Sequence, residues 1–227
     1  MKRTNKLIRE RDSLGNWKGS FENSELMKNV KLTTFLIAIL LMAGNSWAQN
    51  DNVKLKKIFN GKNLKGWDVP ENNIWWSVEK GILKVKSGPN QTGTILWTSK
   101  VYKDFIIQAD FLLGDGRVDS GIFIRDEKQQ IQIGESGSLK RDMTCSPYIP
   151  GKGYPAEAEG IADLLKKDDW NTIKIKAVGK DYTIWLNGKQ VLEFHSEDAL
   201  EEGKIGIQLH PNRDMTIDYK NIKATEI

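Results

Sequence analysis

From Leu55 onward, apolar and polar residues alternate with a period of two. Phe105, Ile107, Ala109 and Phe111 are separated by Ile106, Gln108 and Asp110, and Ile173, Ile175 and Ala177 by Lys174 and Lys176. Tyr182, Ile184 and Leu186 alternate with Thr183 and Trp185, and Ile205, Ile207 and Leu209 with Gly206 and Gln208. Successive side chains of a strand point to opposite faces, so this pattern predicts strands with one face buried. Turn residues punctuate them: Glu79-Lys80-Gly81, Gly114-Asp115-Gly116, Val178-Gly179-Lys180-Asp181 and Asn187-Gly188. The Asn-Gly pair between two apolar runs predicts a two-residue hairpin, because both residues tolerate positive φ. About a dozen short strands with turns between them indicate an all-β antiparallel sandwich or barrel. Residues 134–170, with Pro147, Pro150 and Pro155, break the rhythm. They predict a long irregular loop with one helical turn within 160–167, and loops of that length inside a compact domain are usually functional.

The N-terminal part reads differently. Met27-Lys28-Asn29-Val30-Lys31 is a short basic stretch before an apolar run over 32–43, followed by Gly44-Asn45-Ser46-Trp47-Ala48. That is the pattern of a signal peptide over 27–48 with cleavage before Gln49, and it implies a periplasmic or secreted protein. The run is too short for a membrane anchor. Residues 1–26 lack apolar periodicity and are expected to be an over-extended, unstructured start, with the folded domain at 49–227. Charge divides the same way. Eight of the 34 Lys+Arg and four of the 30 Asp+Glu lie in 1–48, leaving 26 of each in the body. The net charge of +4 therefore belongs to the leader, and a neutral body offers no nucleic-acid footprint. A single Cys excludes a disulfide framework and a Cys-based zinc site.

Chemistry is sought on the strand faces turned away from the aliphatic side. In Ser120-Gly121-Ile122-Phe123-Ile124-Arg125 the isoleucines mark the core, so Gly121, Phe123 and Arg125 face outward. By the same count Gln130 and Gln132 face outward, as do Gly206, Gln208 and His210, and Trp185 stands opposite Ile184 and Leu186. If these strands share a sheet, one surface gathers Arg, Gln, His and Trp, with Gly leaving room beneath. Amides supply both donors and acceptors for sugar hydroxyls, and a Trp face stacks on apolar C–H faces, so the surface suits a carbohydrate. A polar outer face is also what any sandwich presents. His210, ahead of Pro211, is either a turn residue or a general acid or base. Glu135 and Asp142 are a possible glycosidase carboxylate pair; solvated loop carboxylates are the plainer reading. Cys145 has no evident base beside it and reads as passive. No motif calls for a cofactor, and a divalent metal stays open.

The order of several short segments resembles the 3-keto-disaccharide hydrolase family. Phe59-Asn60-Gly61-Lys62-Asn63-Leu64-Lys65-Gly66-Trp67 looks like its opening signature, followed by Trp76-Ser77-Val78-Glu79-Lys80-Gly81-Ile82-Leu83 and Tyr102-Lys103-Asp104-Phe105. Ser120 through Arg125, Ile131-Gln132-Ile133, Trp170-Asn171-Thr172, Trp185-Leu186-Asn187-Gly188 and Gly206-Ile207-Gln208-Leu209-His210 continue it, over essentially all of 55–227. The resemblance implies a concanavalin A-like jelly-roll sandwich of two antiparallel sheets acting on oxidised, 3-keto glycosides. One departure matters: Gln130 stands where many members carry Glu, so an acid/base role of that Glu does not carry over. The implied chemistry removes the proton on sugar carbon 2, acidified by the carbon 3 ketone, and expels the carbon 1 substituent by β-elimination. His210 is expected as base or acid, Glu135 as its complement and Arg125 as oxyanion stabiliser. Gln130, Gln132, Gln208, Trp185, Tyr148, Arg141 and Asp142 are expected to position the sugar. The alternatives are a non-catalytic lectin-like module and a conventional two-carboxylate glycosidase.

Overall fold

The computed structural model describes residues 8–11, 13–15, 17–20 and 53–227. The chain divides into two compact units, Met1–Asn52 and Val53–Ile227. In the first, β1 (Ile8–Arg11) and β2 (Trp17–Ser20) form an antiparallel hairpin, within a stretch the sequence reading leaves without structure. The leader at 27–48 and its cleavage point lie outside the described residues.

The second unit is an all-β sandwich. Its strands are β3 (Lys56–Lys57), β4 (Trp67–Asp68), β5 (Trp76–Glu79), β6 (Ile82–Lys86), β7 (Thr94–Tyr102), β8 (Phe105–Gly116), β9 (Asp119–Arg125), β10 (Gln130–Gly134) and β11 (Pro147–Tyr148). After a short helix, α1 (Ile161–Leu164), come β12 (Asn171–Val178), β13 (Asp181–Leu186), β14 (Lys189–His195), β15 (Gly203–Leu209) and β16 (Met215–Glu226). One sheet has six strands in the order β11-β10-β9-β15-β7-β4. The other runs β14-β13-β12-β8-β16-β6-β5, with β3 paired to β16. Every pairing is antiparallel, as the period-two pattern requires.

The core lies between the sheets. Leu96, Ile122, Ile124, Ile131, Ile133, Ile205 and Ile207 come from the six-stranded sheet; Phe105, Ile107, Phe111, Ile173, Ile184 and Tyr219 come from the other. Each such side chain contributes about 1.5–3 kcal/mol by leaving water. Two turn expectations hold in detail. Lys80 (φ 49) and Gly81 (φ 85) close β5–β6, and Asn187 (φ 51) and Gly188 (φ 85) close β13–β14, each as a two-residue loop.

Gly114-Asp115-Gly116 does not turn. It continues β8 beside β16, where the register shifts between Met215 and Ile217. A Cβ on Gly114 would lie 2.1 Å from Thr216 Oγ1, and one on Gly116 2.0 Å from the Asp214 carbonyl oxygen. These glycines serve a close backbone approach at a bulge. The chain then crosses to the other sheet at Arg117-Val118 to begin β9. The expected irregular loop begins after Gly134, the last residue of β10, and runs through 135–170, interrupted by β11 and α1. Among the described residues no helix is long and apolar enough to cross a membrane.

Candidate functional site

The six-stranded sheet turns a row of five residues away from the core. Cross-strand register sets Tyr148 beside Gln130, Gln130 beside Phe123, Phe123 beside Gly206 and Gly206 beside Trp97. The missing side chains in this neighbourhood are needed. A Cβ on Gly121 would lie 2.3 Å from Gln130 Nε2, and one on Gly206 2.7 Å from two carbons of the Trp97 ring. Glycine at those positions lets the amide and the indole lie down on the sheet.

Two cavities meet over this row. The first, about 360 Å³, is lined by Gln130, Gln132, Gln208, Tyr148 and His210, the expected residues, together with Asp119, Tyr154 and Arg213. The second, about 410 Å³, is lined by Ile95, Trp97, Phe123, Pro150 and Leu209, and shares Gln130, Tyr148, Gln208 and Pro211 with the first. A larger groove of about 520 Å³ runs beside β14, with Glu157, Glu159, Lys189 and Glu193 among its lining residues. It holds none of the expected residues. Convergence of buried polar groups, not size, marks the first cavity as the candidate site.

Its polar groups form one network. Gln130 Nε2 is within reach of Gln208 Oε1 (2.9 Å), Gln132 Oε1 (3.0 Å) and the Ser120 carbonyl oxygen (3.2 Å). A carboxylate could not donate to these acceptors, so the amide at 130 suits its neighbours. Gln132 Nε2 donates to Asp119 Oδ1 (2.8 Å). The Asp119 side chain is only 3% exposed. Its Oδ2 lies 3.4 Å from Arg213 Nη2 and 3.9 Å from His210 Nε2. Gly137 gives Arg213 its place, since a Cβ there would lie 2.4 Å from Nη2. His210 Nδ1 is 2.6 Å from the Pro211 carbonyl oxygen. A carbonyl only accepts, so the proton of the neutral ring sits on Nδ1 and Nε2 keeps its lone pair toward the cavity. Tyr154 packs against Tyr148 with ring centroids 5.2 Å apart. Burial pushes its phenol up to about 12, so it remains a protonated donor at neutral pH. Among the described residues, no group of three His, Cys, Asp or Glu side chains is placed to hold a metal ion.

Five expected residues lie elsewhere. The Arg125 side chain is fully buried and bonded to the carbonyls of Lys103, Gly179 and Leu200. Arg125 has φ +71, and this left-handed turn at the end of β9 swings the side chain off the alternating count. Glu135 follows Gly134, at φ +89, and pairs with Arg117 outside the cavity. Trp185 does point away from the core, but β13 belongs to the eight-stranded sheet, and the Lys174 ammonium lies 3.9 Å from the centre of its ring. Arg141 forms a two-pronged ion pair with Glu157. Asp142 accepts from the Thr144 backbone N–H (3.0 Å) and, with Arg141, lines a different cavity. Glu135 and Asp142 face each other only as a backbone bridge, with their carboxylates engaged separately.

Cys145 is buried in the core, and burial first, the Asp142 charge second, raises its thiol far above the ordinary range. The native protein is expected to resist thiol alkylation at pH 8 and to label only after unfolding, as followed by mass spectrometry. Fast labelling of the folded protein would contradict this placement.

The family model of the 3-keto-alpha-glucoside-1,2-lyase-like domain matches residues 54–225. Two candidate glycosyl hydrolases of Parabacteroides distasonis share the fold. One is 23% identical with a TM-score of 0.56, over 77% of this chain and 100% of its own. The other is 19% identical with a TM-score of 0.58, over 76% and 94%. A Bacillus subtilis protein of unknown function with a galectin-like fold is 15% identical, with a TM-score of 0.53 over 77% of this chain and 95% of its own. No curated protein matches the chain.

Proposed function

The chain belongs to the 3-keto-alpha-glucoside-1,2-lyase-like family, and on that premise we propose that it is an exported enzyme cleaving 3-keto glycosides by β-elimination. The observation that carries the reading is the composition of the polar cavity. Among the described lining residues there is one carboxylate, Asp119, beside a histidine with a free Nε2 and a guanidinium. A conventional glycosidase needs two opposed carboxyl groups. Elimination beside a ketone needs instead a base, a positive group for the enolate oxygen and a proton for the leaving oxygen.

His210 Nε2 takes the proton from carbon 2, and the C–H electron pair passes into the carbon 3 enolate, whose oxygen Arg213 stabilises. The enolate re-forms the ketone as the carbon 1–oxygen bond breaks, leaving a carbon 1–carbon 2 double bond. Tyr148, which borders both cavities, donates a proton to the departing oxygen. Water addition across the double bond afterwards makes the outcome a net hydrolysis. Asp119 counters the imidazolium and holds Gln132 and Arg213 in place, while the glutamines take the sugar hydroxyls.

The test compares phenyl α-glucoside with its 3-keto form. Phenol should be released from the oxidised sugar alone. Release from the unoxidised sugar would make the chain a conventional glycosidase, and binding of both without release would make it a carbohydrate-binding module.

A further inference from the structure

We propose that the second cavity is an aglycone subsite that takes a planar aromatic leaving group; this rests on the reading that the polar cavity beside it holds the reacting 3-keto ring. The two cavities share Gln130, Tyr148, Gln208 and Pro211. A glycoside whose sugar lies among Asp119, His210 and Arg213 therefore extends its carbon 1 substituent along the row toward Trp97. The chemistry changes along that line. The far end is built from the side chains of Ile95, Trp97, Phe123 and Pro150, with Glu127 the one charged side chain among its described lining residues.

The aromatic pair is held in place. Phe123 is 5% exposed, and its ring centroid is 5.7 Å from that of Trp97 at an interplanar angle of 33°. Trp97 occupies the space that any side chain at position 206 would fill. A second sugar would bring hydroxyls needing several polar partners, and the apolar far end of the cavity supplies few. An aromatic ring needs faces and edges, which the half-buried indole of Trp97 offers, backed by Phe123.

Titration calorimetry with phenyl α-glucoside and methyl α-glucoside tests the subsite without any cleavage, because neither carries the ketone. Wild-type protein should bind the phenyl glucoside about tenfold more tightly, a difference of about 1.4 kcal/mol. Trp97→Ala should bring the ratio to about one, and Trp97→Phe should keep part of it. Gly206→Ala, which displaces the indole without removing it, should lower the ratio as well. Equal affinity of wild-type protein for the two glucosides, or an unchanged ratio in Trp97→Ala, would overturn the proposal. Discrimination between the glucosides without phenol release from the 3-keto form would retire the elimination reading and leave the subsite standing.

Discussion

Replacing His210 with alanine is expected to slow phenol release from a 3-keto phenyl glucoside by at least ~10²-fold, the lower bound for loss of a positioned general base. The ring has a defined task because its surroundings fix the tautomer. Nδ1 is committed to the Pro211 carbonyl oxygen at 2.6 Å, so Nε2 is the nitrogen left to accept a proton. Asp119 Oδ2 lies 3.9 Å from Nε2. The loss should fall on turnover and leave affinity for the unoxidised glucoside largely intact, since the glutamine network does not depend on the imidazole. Steady-state kinetics with the ketone, paired with titration of the parent sugar, separate the two effects. Turnover unchanged in His210→Ala would remove the imidazole from the proton transfer.

What could be read along the chain follows from what a period of two encodes. It tells in from out on a strand, and so it placed Gln130, Gln132, Gln208 and His210 correctly on an outward face. It does not tell which sheet a strand joins, so Trp185, with the outward parity of the glutamines, stands on the opposite side of the sandwich. Parity also fails wherever the backbone enters the left-handed region, as at Arg125 and Gly134, and nothing about an arginine announces such a φ. The same alternation marks two further outward residues. Counting one step back from Gly121 and Phe123 gives Asp119, and the alternation of Leu96 and Thr98 turns Trp97 outward. Arg213 carries no periodic signal, because it follows Pro211 in a turn where side-chain direction is set by the local backbone.

Removing the Arg125 side chain should damage the fold and spare the chemistry, the opposite of what a catalytic guanidinium would do. Nε and Nη2 donate to the Lys103 carbonyl at 3.0 and 2.5 Å, and Nη1 donates to Gly179 at 2.5 Å and Leu200 at 2.7 Å. The group thus ties the β7–β8 turn, the β12–β13 turn and the segment before β15 to the end of β9. Its one carboxylate neighbour, Asp104, lies 3.4 Å away and also accepts from the Gly179 backbone N–H. In Arg125→Ala the carbonyl oxygens of Lys103, Gly179 and Leu200 lose a shared donor; all three residues reach the surface, so water replaces part of what is lost and the cost is about 1–3 kcal/mol for the group as a whole. The lost packing of the guanidinium over Phe105 adds to this, so the total is set at about 2–4 kcal/mol. For a domain of this size that is a fall in melting temperature of roughly 10 °C. Arg125→Lys should recover little, because an ammonium on one stem cannot reach three carbonyls arranged for a planar fork. Thermal melts of both variants, with turnover per folded molecule measured well below the transition, decide the matter. Stability held at the wild-type level with turnover abolished would return Arg125 to the active site and undo the assignment of that role to Arg213.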